Sequence, residues 1–156
     1  MSQSENKPYF NGQLIVEQLT RAADSEGRFR NNDERGEVAM IITNGSLEYV
    51  ELAEFAHRGI RRGYHYHTAY TEQLYVISGK LYIAAEMLET GEKTLLEINA
   101  GDVIKIKPGV AHAFIALEKS LVLSMGSGAD PFADRHRFTD ITFPELKGEV
   151  TEKETV

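Results

Sequence analysis

The stretch from Gly59 to Gly79 reads GIRRGYHYHTAYTEQLYVISG, and it decides how the rest of the chain is interpreted. His65 and His67 lie two residues apart, so on a β-strand both imidazoles leave the same face. Glu72 follows after four intervening residues, a length that lets the chain turn and present a carboxylate from the next strand. The stretch therefore predicts two consecutive strands that bring potential metal ligands together.

A second segment, Lys107-Pro108-Gly109-Val110, leads into another histidine, His112. Proline followed by glycine suits the centre of a type II turn, because proline presets φ and glycine accepts a positive φ. Such a turn would place His112 at the head of a strand, facing inward. Three imidazoles and one carboxylate suit zinc, iron, manganese, nickel or cobalt and leave one or two positions for water or substrate. We therefore expect one divalent metal ion held by four ligands: His65, His67, Glu72 and His112.

Short apolar runs separated by turn signals fill the chain from Leu47 to Met125. Runs of this length and spacing are typical of an all-β sandwich or barrel. Nearer the start, Leu14 to Ala23 is compatible with a short helix, and Leu14 to Leu19 equally with an opening strand. We predict an all-β, antiparallel fold whose strands contain the following runs: 47–52, 74–77, 81–85, 94–98, 103–106, 113–117 and 121–125.

The length of 156 residues and the 42% hydrophobic content fit a single domain spanning residues 1–156. Residues 1–36 are predicted to form an N-terminal arm, with a polar loop from Asp24 to Gly36. The barrel core is predicted to span about 37–143. The polar stretch from about 145 to 156 is expected to be disordered.

Charge and composition exclude several classes of function. The chain has 17 Lys and Arg against 24 Asp and Glu, a formal charge of −7, so it lacks the basic field that nucleic acids and anionic membranes require. It has no cysteine, which excludes disulfides and thiolate chemistry. Neither a signal peptide nor an apolar run of about 18 residues is apparent, and we expect a cytoplasmic protein without nucleic-acid or membrane partners.

The spacing of glycines, histidines and the glutamate resembles the two sequence motifs of the cupin superfamily. This chain departs from the second motif at Lys107, where a proline is usual, and at Ala116, where an asparagine is usual. The resemblance implies a single-domain jelly-roll β-barrel with a metal site. Its positions are Gly59, His65, His67, Glu72 and Gly79 for the first motif, and Gly101, Pro108, Gly109 and His112 for the second.

The flanking residues resemble those of cupins that act on nucleotide sugars. The run from Arg61 to His67 is similar to their Arg-Gly-x-His segment, and Asp33-Glu34-Arg35-Gly36 is similar to their Asp-x-Arg-Gly turn. The resemblance implies that Arg35, Arg62 and Tyr64 bind substrate, since guanidinium groups form bidentate bonds with a diphosphate.

Three groups of nucleotide-sugar cupins resemble this chain to different degrees. In the 3,5-epimerases a tyrosine acts as the catalytic acid, on a strand that matches Leu121 to Met125. This stretch contains no tyrosine in the present chain. The ketoisomerases carry paired histidines without a metal, which leaves Glu72 and His112 unexplained. The zinc-binding cupin module of capsular-polysaccharide enzymes, which epimerises a 4-keto sugar, resembles this chain best. This resemblance makes zinc the first choice of metal, ahead of iron, manganese and nickel.

We expect a metal-binding isomerase or epimerase that moves a proton beside the carbonyl of a nucleotide-linked 4-keto sugar. Candidate catalytic residues are His65, Tyr66 and Lys107, although His65 cannot be a tight ligand and a free base at once. The alternatives are an iron- or manganese-dependent dioxygenase of a small organic substrate and a non-catalytic cupin that binds a small molecule. Because short strands leave open edges, we also expect a homodimer, with the polar arm around Asp24 to Gly36 pairing across to the second subunit.

Overall fold

The structure is a computed structural model that describes residues 7–42 and 45–147. Within these residues the regular elements are thirteen β-strands and one short 3-10 helix at Phe10–Gly12. The strands, in chain order, are β1 Lys7–Tyr9, β2 Leu14–Gln18, β3 Phe29–Asp33, β4 Gly36–Met40, β5 Tyr49–Phe55, β6 Arg61–Tyr66, β7 Thr71–Ser78, β8 Lys80–Met87, β9 Lys93–Asn99, β10 Asp102–Ile106, β11 Val110–Ala116, β12 Ser120–Ser127 and β13 His136–Arg137.

The strands form two large sheets and a separate hairpin. The larger sheet has the order β1-β2-β10-β7-β12-β5, the smaller one has the order β13-β6-β11-β8-β9, and β3 pairs with β4. Every pairing is antiparallel, and distant strands become neighbours, as when β7 lies between β10 and β12. This arrangement confirms the predicted all-β, antiparallel jelly-roll barrel.

Alternate side chains of facing strands fill the space between the two sheets. Leu74 and Val76 point inward from β7 of the larger sheet, and Leu81 and Ile83 point inward from β8 of the smaller one. All four are almost fully buried. The burial of these apolar chains, at about 25 cal/mol per Å² of area removed from water, holds the sheets together.

Five of the seven apolar runs lie wholly in strands of the barrel, most of which extend beyond them at both ends. The run at 47–52 starts before β5, which begins at Tyr49, and the run at 113–117 ends one residue after β11, which ends at Ala116. At the start of the chain the strand interpretation of Leu14 to Leu19 is correct and the helix is wrong, because β2 pairs with β10 along its whole length.

The predicted arm at 1–36 needs correction, because β2 belongs to the larger sheet and Leu14 is fully buried in the core. The predicted loop from Asp24 to Gly36 also contains a strand, β3, which forms a hairpin with β4. Its sequence, FRNND, lacks the alternation of apolar and polar residues that marks a half-buried strand, since the hairpin lies on the outside of the barrel.

The chain also covers the outer face of the larger sheet. Tyr75, Val103 and Met125 form a second apolar cluster there, and Ile41 and Ile42 beyond the hairpin pack against it. The described residues contain no helix with the length and apolar character needed to cross a membrane. Of the tail predicted to be disordered, residues 148–156 lie outside the described part.

Candidate metal centre

Three strands of the barrel bring the four predicted ligands together. His65 lies on β6 and His67 directly follows it, while Glu72 comes from β7 and His112 from β11. The antiparallel register places His65 directly opposite His112. One ligand atom from each of the four side chains lies within 4.8 Å of the other three. The four side chains therefore lie close enough together to bind one ion.

The cluster contains buried polar atoms that face each other without a hydrogen-bond partner among the described residues. Oε2 of Glu72 and Nε2 of His112 are both in this state, and they lie 3.1 Å apart. The other carboxylate oxygen of Glu72 accepts a bond of 2.9 Å from the Ser124 hydroxyl. Because buried polar atoms nearly always have a partner, this pair points to a cation between them. A divalent metal ion fits the donor set.

Hydrogen bonds on the far side of two imidazoles determine which nitrogen faces the cluster. Nδ1 of His67 donates to the backbone oxygen of Asp134 at 2.8 Å, and Nδ1 of His112 donates to that of Val110 at 3.0 Å. A carbonyl oxygen only accepts, so both Nδ1 atoms carry the proton. Nε2 of each ring is thereby left free to bind a metal, which is the usual arrangement around protein metal sites.

The electrostatics of the cluster favour the protonation states that metal binding requires. Burial, followed by the charge of His112, lowers the pKa of His65 to about 4, against the opposing effect of Glu72. Burial by itself would raise the pKa of Glu72, but His112 and the Ser124 hydroxyl outweigh it and hold that pKa at about 2. At neutral pH the site therefore presents a neutral His65 and an ionised carboxylate.

A β-bulge in β6 places an arginine on the same face as the histidines. The register with β11 runs from His65 opposite His112 to Gly63 opposite Ala113, which skips Tyr64. Both Gly63 and Tyr64 have positive φ, 95° and 59°. Because the bulge reverses the alternation, Arg62 shares the inner face with His65, although the two are three residues apart.

Three of the four cluster residues, His65, Glu72 and His112, line a cavity of about 240 Å³. About half of its lining residues are apolar or aromatic, and the rest are charged or polar, three arginines among them. A second, smaller space of about 90 Å³ is lined by His65, His67 and Glu72 of the same cluster. The larger cavity is lined by Phe55, Leu74, Ile98, Phe114 and Val122, with Arg61, Arg62 and Arg135, and the smaller one by Tyr49, Tyr70, Pro131 and Phe132. Both spaces share Glu51, His65, Glu72, Ser124 and Arg135.

Of the other predicted site residues, the structure brings only Arg62 into the cavity. Its guanidinium donates two bonds to the backbone oxygen of Glu54 and lies 5.7 Å from the centre of the Phe55 ring. The side chain is thus held at the rim while remaining exposed to solvent.

Tyr64, Tyr66 and Lys107 are not among the residues that line either cavity. Tyr64 is the bulged residue, and its carbonyl accepts a bond from the Phe138 amide. Tyr66 alternates with the two histidines and stacks on His136, with ring centres 5.1 Å apart. Lys107 lies in the turn between β10 and β11, where strand alternation does not direct a side chain inward.

Arg35 lies far from the cluster in the fold, at the tip of the β3–β4 hairpin. It is paired with Asp33 at 2.6 Å and its side chain is 80% exposed. The Asp-x-Arg-Gly segment therefore forms the turn of this hairpin. Arg35 does not line the cavity of its own chain.

Sequence reasoning missed three residues of the site: Glu51, Ser124 and Arg135. Ser124 was open to prediction, because it is the one polar residue of the run at 121–125, and its hydroxyl reaches Glu72 once β12 pairs with β7. Glu51 and Arg135 carried no such signal, because their place depends on the edge strand β5 and on the connection after β12.

Solved structures with the same fold include several enzymes that act on nucleotide sugars. A dTDP-4-dehydrorhamnose 3,5-epimerase from Sulfolobus tokodaii has a TM-score of 0.71 at 18% identity and covers 91% of this chain and 86% of its own. A sugar 3,4-ketoisomerase from Thermoanaerobacterium thermosaccharolyticum has a TM-score of 0.65 at 19% identity, with coverage of 82% and 90%. A 4-keto-6-deoxy sugar epimerase from Streptomyces spheroides has a TM-score of 0.64 at 16% identity, with coverage of 87% and 74%.

These likenesses show the fold, a jelly-roll β-barrel that this chain shares with those enzymes. The sequence also matches the family model described as the polysaccharide biosynthesis C-terminal domain over residues 31–137, more than half of the chain. The chain therefore belongs to that family. No curated protein matches it.

The bulge brings Gly63 so close to β11 that a side chain at this position has no room. A Cβ atom there would meet the Ala113 Cα and the His112 carbonyl oxygen at 2.9 Å each, in addition to the positive φ. Gly63→Ala should lower the free energy of unfolding by about 2 kcal/mol or more through overpacking and backbone strain. Gly91 also has a positive φ but is surrounded by open space, so Gly91→Ala should cost about 1 kcal/mol. Urea unfolding of the two variants tests this, and equal losses would contradict the close approach at Gly63.

Proposed function

We propose that this protein is a metal-dependent isomerase or epimerase of a nucleotide-linked 4-keto sugar. The observation that carries the proposal is the bulge in β6, which puts Arg62 on the inner face beside the metal-ligand cluster. A cationic group and a metal centre that line one cavity suit a substrate that has an anion at one end and a carbonyl at the other. The names of the structural neighbours, epimerases and ketoisomerases of dTDP sugars, point the same way.

The size of the cavity supports a division of the substrate between two regions. Its volume of about 240 Å³ lies below the roughly 300–1,000 Å³ of pockets that enclose drug-sized ligands. A nucleotide sugar therefore exceeds it, whereas a single sugar ring suits its mixture of apolar faces and polar side chains. The diphosphate would then lie at the rim, within reach of Arg62 and Arg135, where guanidinium groups favour phosphate oxygens.

The residues of the cluster would hold one divalent ion, which supplies Lewis-acid stabilisation of the negative charge that develops on the keto oxygen. We keep His65 as a ligand, since it lies opposite His112 and completes the set with Glu72 and His67. Zinc is our first choice, and iron, manganese and nickel suit the same donors.

With the histidines engaged, another group must move the proton beside the carbonyl. Tyr66 and Lys107, the candidates from the sequence, do not line the cavity. Glu51 lines both spaces and stands opposite Ser124 in the pairing of β5 with β12. It is the only carboxylate other than Glu72 among the described residues that line these spaces. We therefore propose Glu51 as the proton carrier.

Deuterium exchange tests the reaction and the role of Glu51 together. The metal-loaded protein, incubated in D₂O with dTDP- and UDP-4-keto sugars, should introduce deuterium at C3 or C5 of one of them, as observed by NMR. Glu51→Gln should slow the exchange by about 10²–10⁴-fold, the usual contribution of general acid–base catalysis. Glu54→Gln is the matched control, because Glu54 lies on the same strand but faces outward, and it should exchange at the wild-type rate.

Other outcomes of that experiment would redirect the proposal. No deuterium in any of the sugars would contradict an epimerase or isomerase. Oxygen uptake that depends on added Fe(II) would instead support a dioxygenase. The small space of about 90 Å³ beside the cluster favours this alternative, because its size suits a diatomic gas. Tight binding of a sugar without exchange would support a non-catalytic binding protein.

We further propose that the protein is a homodimer. Strand β5 is an edge of the larger sheet, and its outward residues Val50 and Leu52 are about 60% exposed. Val38 and Met40 on the hairpin strand β4 are exposed as well. Large apolar side chains on an open sheet edge are typical of a surface that a second subunit covers.

Light scattering at micromolar concentration should give the mass of a dimer for the wild-type chain. Leu52→Glu should shift the protein toward monomer, because it buries a charge in the proposed interface. Leu95 is exposed on β9, an edge of the other sheet, but it is the only large exposed apolar side chain that the described residues place on that sheet. Leu95→Glu should therefore remain a dimer. A wild-type monomer, or equal behaviour of the two variants, would refute the proposed interface.

A further inference from the structure

The segment 130–136, which we call the strap, follows β12 and holds a nearly buried carboxylate, that of Asp134. This carboxylate accepts bonds from three consecutive backbone amides, those of Thr68, Ala69 and Tyr70, at 3.0, 2.7 and 2.8 Å. It also accepts the Thr68 hydroxyl at 2.5 Å and Nε2 of His136 at 3.2 Å. Three successive amides directed at one carboxylate form a concave anion site built from main chain.

The main chain that Asp134 holds is the connection between two metal ligands. Residues 68–70 link His67, at the end of β6, to Glu72 near the start of β7. The backbone oxygen of Asp134 also accepts the Nδ1 proton of His67. One residue therefore contacts a ligand directly through its carbonyl and fixes the link to the next ligand through its side chain.

The same residue holds the strap against the cavity. Arg135 follows it immediately in sequence, lines both spaces beside the cluster, and lies 4.7 Å from the centre of the Phe132 ring. A second carboxylate, Asp130, accepts the Phe132 amide and so shapes the turn that leads to Asp134. The position of Arg135 thus depends on the hydrogen bonds that hold its neighbour, Asp134.

We propose that Asp134 is a positioning residue which sets the metal affinity of the cluster and, through Arg135, the binding of the anionic end of the substrate. Its carboxylate does not line either cavity, and its oxygens are occupied by amide, hydroxyl and imidazole donors. Asp134 is therefore not a proton carrier; it acts through His67, the 68–70 turn and Arg135. This inference rests on the proposed metal site and deepens it.

The test compares Asp134→Asn and Asp134→Ala with Asp24→Asn. Asp24 is the matched control, because its carboxylate also accepts two backbone amides, those of Glu26 and Arg28, but lies away from the cluster. Zinc affinity is measured by competition with a chelator, and pyrophosphate affinity by calorimetry. Loss of a group that orients a metal ligand typically weakens metal binding by about 10–100-fold. We expect a loss of this size for Asp134→Ala, a smaller loss for Asp134→Asn, and no change for the control.

Two further readouts separate positioning from a purely structural role. The thermal midpoint of the metal-free variants reports general stability, and long-range ¹H–¹⁵N spectra of the metal-free protein report which nitrogen of His67 carries its proton. Pyrophosphate binding should weaken in both Asp134 variants and in Arg135→Ala, whereas Arg135→Ala should keep its zinc affinity. If Asp134→Ala does not fold, Thr68→Val removes one donor to the same carboxylate and should weaken zinc binding in the same direction.

Unchanged zinc affinity and an unchanged His67 spectrum in the Asp134 variants would overturn the inference. So would an equal loss of affinity in Asp24→Asn, because the effect would then be one of general stability. A wild-type protein that binds no metal would contradict the proposed function alone, since the His67 spectrum still reports on the contact with Asp134.

Discussion

The antiparallel pairing of β6 with β11 is the constraint on which the rest of the site depends. It places His65 opposite His112, and the bulge at Gly63 and Tyr64 then turns Arg62 onto the same inner face. Without the bulge, regular alternation would put Arg62 and His65 on opposite sides of the sheet. The close approach of Gly63 to the main chain of β11 therefore connects the metal ligands to the cationic rim of the cavity.

The energetics of burial explain why this pairing implies a cation. Glu72 and His112 are nearly removed from water, and two of their polar atoms face each other without a hydrogen bond among the described residues. A buried carboxylate oxygen without a partner is costly, and charge that is buried in proteins is usually paired or bound to metal. The backbone carbonyls that orient His67 and His112 belong to the same arrangement, because they leave Nε2 of each ring free for an ion.

The sequence predicted those features of the molecule that appear as a local spacing of residues or a local apolar pattern. Spacing, together with the resemblance to the two cupin motifs, identified His65, His67, Glu72 and His112, because strand alternation and a Pro-Gly turn direct side chains in a regular way. Apolar runs identified most barrel strands for the same reason. The hairpin β3–β4 was missed, since a strand outside the barrel does not need an apolar face. Arg35 was expected in the site from a short motif that turned out to form a local ion pair with Asp33. Glu51, Arg135 and the role of Asp134 depend on contacts between distant segments, which no local pattern encodes.

The metal content of the purified chain tests the central claim most directly. After incubation with zinc, iron, manganese or nickel and removal of unbound ions, the wild-type protein should retain close to one equivalent of a divalent metal per chain, and Glu72→Gln should retain far less. Retained zinc would agree with the Lewis-acid role proposed for the cluster. A wild-type protein that retains none of these metals would contradict the account, because the buried atoms of Glu72 and His112 would then lack the partner that their geometry requires.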